Sequence, residues 1–150
     1  RMADITIQID KQEVYVEVSK VTAYIGGKNV DANGKTLYDQ VFVTDADKEM
    51  IDSFFSSATS NVSTALEHTL KDMETNDIGF ILTLRMPGNF RTTMEKPLTE
   101  SIIEYIENSI VAAWCDITKK DEESYATNAS ALLQQINAMQ YLRQRPKRNF

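Results

Sequence analysis

Two helical stretches near the end of the chain constrain what the rest can do. The first carries Leu98, Ile102, Ile103, Ile106, Ile110, Ala113, Trp114 and Ile117. The second carries Tyr125, Ala129, Leu132, Leu133, Ile136, Met139, Tyr141 and Leu142. Apolar residues at steps of three and four fall on one helical face. Only a short polar turn separates the stretches, so they pack as antiparallel neighbours. The other segments must bury their own apolar faces somewhere, and this hairpin is where they can.

Read from the start, Asp4–Ile9 alternates, with Ile5, Ile7 and Ile9 against Asp4, Thr6 and Gln8. That is a strand or extended arm with one apolar edge. Asp10 and Glu13 then resemble a capping box. Val14, Val18, Val21 and Ile25 share a helical face, and Gly26-Gly27 supplies a stop. Val14, Val16 and Val18 also alternate, so 11–25 reads as helix or strand, with the caps and the longer period favouring helix. Lys28–Val43 is a connection around the turn signal Asp31-Ala-Asn33-Gly34, pinned by Leu37, Tyr38, Val41, Phe42 and Val43.

Thr44 is a suitable N-cap for a helix reaching about Leu70, roughly 39 Å long. Its stripe is Ile51, Phe54, Phe55, Ala58, Val62, Ala65, Leu66 and Leu70. Its other side is polar yet nearly uncharged: Ser53, Ser56, Ser57, Thr59, Ser60, Ser63 and Thr64. Such a face is either solvated or turned towards neighbouring copies, where unpaired charge would be costly. Lys71–Asp77 is a polar break. Ile78–Met86 is a strand with Ile78, Phe80, Leu82 and Leu84 on one side, and Pro87-Gly88-Asn89 turns it. Phe90–Met94 returns as a second strand or forms an exposed loop, and Pro97 suits the first turn of the hairpin's first helix.

The expected fold is mainly α: a helical bundle with a long central helix, a C-terminal helical hairpin, a small β insertion at about 78–94 and an extended tail. At 150 residues one globular domain, 1–142, is expected, followed by the tail 143–150. The single cysteine, Cys115, excludes an intramolecular disulfide and sits beside Trp114 as a core thiol. No stretch approaches about 20 apolar residues, so no membrane span is expected. The first residues lack an apolar signal core.

Net charge is −6, unevenly spread. From Arg143 onwards the chain holds four of the 16 basic residues and none of the 22 acidic ones, leaving 12 against 22 in the body, a balance of −10. So acidic a body repels phosphate and argues against nucleic acid along its surface. The basic tail can reach an acidic partner. Its Arg143, Arg145, Lys147 and Arg148 offer charged donors, Pro146 prevents helix, and Phe150 ends it with an aromatic ring and a carboxylate.

Signals for chemistry are sparse. His68 is the single histidine, without a second ligand at metal spacing, and reads as a surface or boundary residue. Gly26-Gly27-Lys28 is too short to cradle phosphate and ends a helix instead of starting one. The acidic groups Asp45/Asp47 and Asp121 with Glu122-Glu123 sit at helix starts, where the helix dipole accounts for them. Cys115 lacks a plausible histidine partner for nucleophilic work. No catalytic function, cofactor or metal is expected.

The order of parts resembles the head-to-tail connector proteins of tailed bacteriophages, also called adaptor, head-completion or neck-ring proteins. The resemblance rests on this architecture, on Ile110-Val-Ala-Ala-Trp114 followed by Leu132-Leu-Gln-Gln-Ile136, and on the Arg143–Phe150 tail. Asp4-Ile-Thr-Ile-Gln-Ile-Asp10 and Lys20-Val-Thr-Ala-Tyr-Ile-Gly26 also look like small neck proteins of phages of gut bacteria (the crAss-like group). The resemblance implies a structural virion protein in a homo-oligomeric ring of about 12 copies under the portal. It implies that Arg143, Arg145, Pro146, Lys147, Arg148 and Phe150 anchor on the portal. Phe90 and Arg91 would lie on a loop facing the channel, the tail or a second ring protein. DNA would pass nearby without specific binding, along a repulsive acidic wall. The assembly would sit at the virion neck. The alternative is a small bacterial helical binding module whose basic tail docks on an acidic partner.

Overall fold

The computed structural model describes residues 2–27, 45–120 and 122–142, with backbone alone at Met2, Gly26, Gly27, Asp45, Ala46 and Asp47. The connection Lys28–Val43, the expected N-cap Thr44 and the tail Arg143–Phe150 lie outside the described residues. The elements are β1 (Met2–Asp10), α1 (Lys11–Gly27), α2 (Asp45–Ala65), β2 (Leu70–Thr75), β3 (Gly79–Pro87), a short 3-10 turn (Thr92–Met94), α3 (Glu95–Thr118) and α4 (Ser124–Met139). The described residues are mainly helical, with one small antiparallel sheet among them of order β1-β3-β2.

β1 turns into α1 without a linker. Asp10 accepts the Gln12 N–H at 2.8 Å, the bond expected of an N-cap. The helical reading of 11–25 holds, and the reason is visible in Val16. Alternation would bury Val16 with Val14 and Val18, but Val16 is 46% exposed while its two neighbours are fully buried. The face that packs is Val14, Val18 and Ile25, completed by Thr22, whose buried hydroxyl donates to the Val18 carbonyl at 2.8 Å.

The β insertion differs from expectation in extent and partners. β3 pairs with β1 over its whole length, from Met2↔Pro87 to Asp10↔Gly79. Its hairpin partner is β2, which lies before it and within the stretch expected to be a polar break. Residues 88–94 form no second long strand: Phe90 N–H closes a turn on the Pro87 carbonyl at 2.9 Å, and the 3-10 turn follows. Ile78 is not an inward strand residue. It sits in the β2–β3 turn, 60% exposed, where the Asn76 side-chain oxygen accepts the Ile78 and Gly79 N–H groups. Gly79 is required there, because a Cβ would stand 1.9 Å from the Ile9 carbonyl oxygen.

α2 ends earlier than expected, at 21 residues. The apolar stripe runs on through Leu66, which is buried, but Thr69 and Leu70 N–H groups both fold back onto the Leu66 carbonyl and turn the chain into β2. No proline or glycine marks this switch. Leu70 belongs to the sheet, paired with Leu84.

The sheet buries Ile7, Ile9, Phe80, Leu82, Leu84 and Met86 on one face, against the helices. α3 is the helix that packs on most other elements: α1, α2, α4 and β1. It can do so because its buried residues spread over more than one face, Leu98, Ile102, Ile106 and Ile110 together with Tyr105, Val111 and Cys115. The hairpin with α4 forms as expected, through Ala129, Ile136 and Met139. Two residues of the expected stripes end up outside it: Ile117 and Tyr141 are exposed, at the hairpin's two ends.

Candidate partner-binding site

The candidate anchor residues Arg143, Arg145, Pro146, Lys147, Arg148 and Phe150 lie outside the described residues. The structure does describe the point from which they depart. α4 ends at Met139, and the next residue, Gln140, is 0% exposed. Its side-chain oxygen accepts the Thr69 hydroxyl at 2.9 Å, and its side-chain nitrogen donates to the Ala65 carbonyl at 2.9 Å. Asn137 donates to the same carbonyl, also at 2.9 Å. Ala65 is the last residue of α2, so its carbonyl has no intrahelical donor. Two amides, Asn137 in the last turn of α4 and Gln140 just beyond it, supply what that helix end lacks. The root of the tail is thereby fixed to the junction where α2 becomes β2. Beyond it the His68 and Tyr141 rings stack with centroids 4.9 Å apart, and both residues are exposed.

The other two candidates separate. Phe90 is 4% exposed and belongs to the hydrophobic core. Its ring holds the turn after β3 against the body and is not presented to a partner, which corrects the assignment made from the resemblance. Arg91, next to it, is exposed.

The polar side of α2 is also at the surface. Ser53, Ser56, Ser57, Ser60 and Thr64 are exposed, whereas Thr59 is buried and donates to the Phe55 carbonyl at 2.8 Å. Ser63 and Thr64 both donate to the Ser60 carbonyl. The exposed residues of this side, Ser53, Ser56, Ser57, Ser60 and Thr64, carry no charge.

Charge gathers elsewhere, along α1. Tyr15 donates to the Asp52 carboxylate, and Lys11 approaches the same carboxylate at 3.7 Å while lying over the Phe55 ring. Burial and the Asp52 contact push the Tyr15 hydroxyl well above its ordinary range. Glu107 on α3 is half-buried; burial, then Glu17 from α1 and Glu104 from its own helix, push it up to about 7. On the open face of the sheet Lys71 and Arg85 flank Asp4, and the Lys71 hydrogen bond holds that carboxyl below its usual range. Burial pushes the Cys115 thiol up, the direction of an inert thiol.

Among the described residues no three His, Cys, Asp or Glu side chains gather as a metal-binding group. No described helix is long and apolar enough to cross a membrane. The Gln140 clamp was not anticipated from the sequence. Thr69 and Gln140 are 71 positions apart, and neither residue type signals a partner. Comparison with family models, with curated proteins and with solved structures finds no match for this chain.

Proposed function

We propose that this chain is a structural adaptor of a tailed-phage virion, and that copies of it form a ring between portal and tail. In this reading Arg143, Arg145, Pro146, Lys147, Arg148 and Phe150 anchor each copy on the portal. The observation that carries it is the fixed root of the tail. A basic segment without acidic residues begins three positions after Gln140, a buried side chain hydrogen-bonded twice to the junction of α2 and β2. A peptide anchor benefits from such a root, because its point of departure is positioned before it docks and less ordering entropy is lost on binding. The neutral hydroxyl face of α2 supports contact between neighbouring copies in the same ring, since no charge has to be desolvated there. An acidic body supports passage of DNA without adhesion.

The test is the mass of the full-length protein with and without a candidate portal, beside a variant ending at Leu142. The adaptor reading expects the full-length chain to join a ring of about 12 copies on the portal and the truncated chain to stay folded but unbound. If both remain free of the portal, the reading fails. A tail that instead binds an acidic host protein would mark a cellular binding module.

A further inference from the structure

The sheet has two edges, and they are built differently. β2 is six residues long, carries exposed Lys71, Asp72 and Glu74, and has a register shift between Leu70 and Asp72. Short length, charge and a bulge are the usual ways a sheet edge is kept from pairing with another chain. β1 is neither short nor bulged, and its exposed carboxylate, Asp4, is already paired with Lys71 and Arg85 of its own sheet. It is nine residues long, its register with β3 is unbroken, and it contains no lysine, arginine or proline. No described strand pairs with its other side, and Ala3, Asp4, Thr6 and Gln8 are exposed.

The ladder shows which backbone groups face that free side. Lys11 N–H donates to the Ile78 carbonyl at 2.7 Å, which continues the β1–β3 pairing by one step beyond Asp10↔Gly79. Hydrogen-bonded pairs alternate along an antiparallel ladder, so Ile5, Ile7 and Ile9 direct their N–H and C=O groups to β3. Those of Asp4, Thr6 and Gln8 therefore point away from the sheet.

We propose that β1 pairs with β1 of a second copy, antiparallel and centred on Thr6, joining two sheets into one. The sequence of the strand selects that partner and that register. With Thr6 opposite Thr6 of the partner subunit, Asp4 meets Gln8 and Gln8 meets Asp4. Every outward N–H of these residues then faces an outward C=O, and no like charges are opposed. On the inner face Ile5 lies opposite Ile7, which covers Ile5, partly buried in the single chain. Sliding the strands by two residues in one direction sets Asp4 against Asp10. Sliding them the other way shortens the overlap. An isologous contact of this kind closes at two copies.

The pair is the form of the free protein. It does not rest on the portal reading, because truncation after Leu142 leaves β1 intact. The test uses the full chain carrying Thr6→Cys, beside the same chain carrying Gln8→Cys. Directly opposed residues of a hydrogen-bonded pair have Cα atoms about 5.5 Å apart, within reach of a disulfide. Gln8 is opposed by Asp4 and lies too far from its own copy. Cys115 is buried and does not compete. Light scattering of the unmodified protein is expected to give twice the 17.0 kDa of one chain, and Thr6→Lys, which opposes two like charges, is expected to give one. Mild oxidation is expected to convert Thr6→Cys, and not Gln8→Cys, to a covalent dimer. A monomeric unmodified protein, equal cross-linking at both positions, or a dimer lost on truncation after Leu142 would each overturn the proposal; the last would assign the edge to the tail.

Discussion

α1 and α4 both pack on α3, and they are attached by different chemistry. α1 meets its neighbours through groups that carry or gain charge: Lys11 and Tyr15 hold Asp52 at one end, and Glu17 repels Glu107 further along. α4 is tied by neutral amides and a hydroxyl, buried at Gln140 and Thr69. Neutral buried hydrogen bonds respond to neither pH nor salt, while half-exposed charges respond to both. The comparison teaches which end of the molecule is insulated from conditions. It is the end from which the tail departs.

The most direct way to break the comparison is Gln140→Met. Methionine keeps the volume but cannot accept from Thr69 or donate to Ala65, leaving buried polar groups short of partners. The expected loss is about 2–3 kcal/mol, read as a lower urea midpoint at unchanged slope. The loss should be the same at pH 5 and pH 8. A change below about 0.5 kcal/mol would show that the clamp is not what fixes α4.

The α1 side should behave oppositely. Glu107 is raised above its ordinary value in the folded chain, to about 7. Its proton is therefore held more tightly folded than unfolded. Stability is fully present below the ordinary carboxylate range and falls as pH rises towards about 7. Glu107→Gln removes this slope. The full shift would be worth about 3 kcal/mol, but the group is half exposed and screened, so about 1 kcal/mol of stabilisation is expected at pH 8 and none at pH 4. Parallel pH profiles for the variant and the parent would show that Glu107 does not set α1's pH dependence.

How much of this was legible beforehand depends on whether the signal was local. The α3–α4 hairpin, the Asp10 cap and the core face of α1 were readable because each lies within a few residues of itself in sequence. β2 was not. Its bulge breaks the alternation between Leu70 and Met73, so a strand looks like a polar break. The early end of α2 was hidden for a related reason: Leu66 and Leu70 continue the helical period, yet one packs in the core and the other joins the sheet. Phe90–Met94 read as a second strand or an exposed loop, and the resemblance turned Phe90 towards a partner, whereas here the turn is held by burying its one large ring. The Gln140 clamp joins residues far apart in sequence, and nothing local marks it. The anchor residues of the tail remain a reading from composition and resemblance.

Tyr15→Phe sharpens the contrast at smaller magnitude. It keeps the edge-on contact with Phe55, whose ring centroid lies 5.8 Å away, and removes only the bond to Asp52. A loss of about 0.5–1 kcal/mol is expected at neutral pH. Tyr15's hydroxyl is raised in the folded chain, so its contribution is complete at neutral pH and declines only as pH climbs above the ordinary tyrosine range. Salt should narrow the difference between variant and parent, because Asp52 is exposed. The absence of any loss would mean that the ring's packing, not the Asp52 contact, is what Tyr15 supplies.

The smallest effect belongs to the link between α3 and α4, and it has the opposite sign. Lys119 caps α3 in the left-handed conformation, φ 58°, with its N–H donating to the Cys115 carbonyl. A side chain is strained there, and glycine is the residue that helix ends usually place at this position. Lys119→Gly relieves that strain but gives the unfolded chain more freedom, so the net gain is about 0.5 kcal/mol. It should appear as a higher thermal midpoint, equal at pH 5 and pH 8, because the strain involves no charge on either side of the α1–α4 comparison. If the gain instead grew with added salt, the lysine's charge would be attracting Asp116 one turn back, and the hairpin end would have to be counted with the charged half of the molecule. A loss of stability would mean that Lys119 makes a contact worth more than the strain it bears.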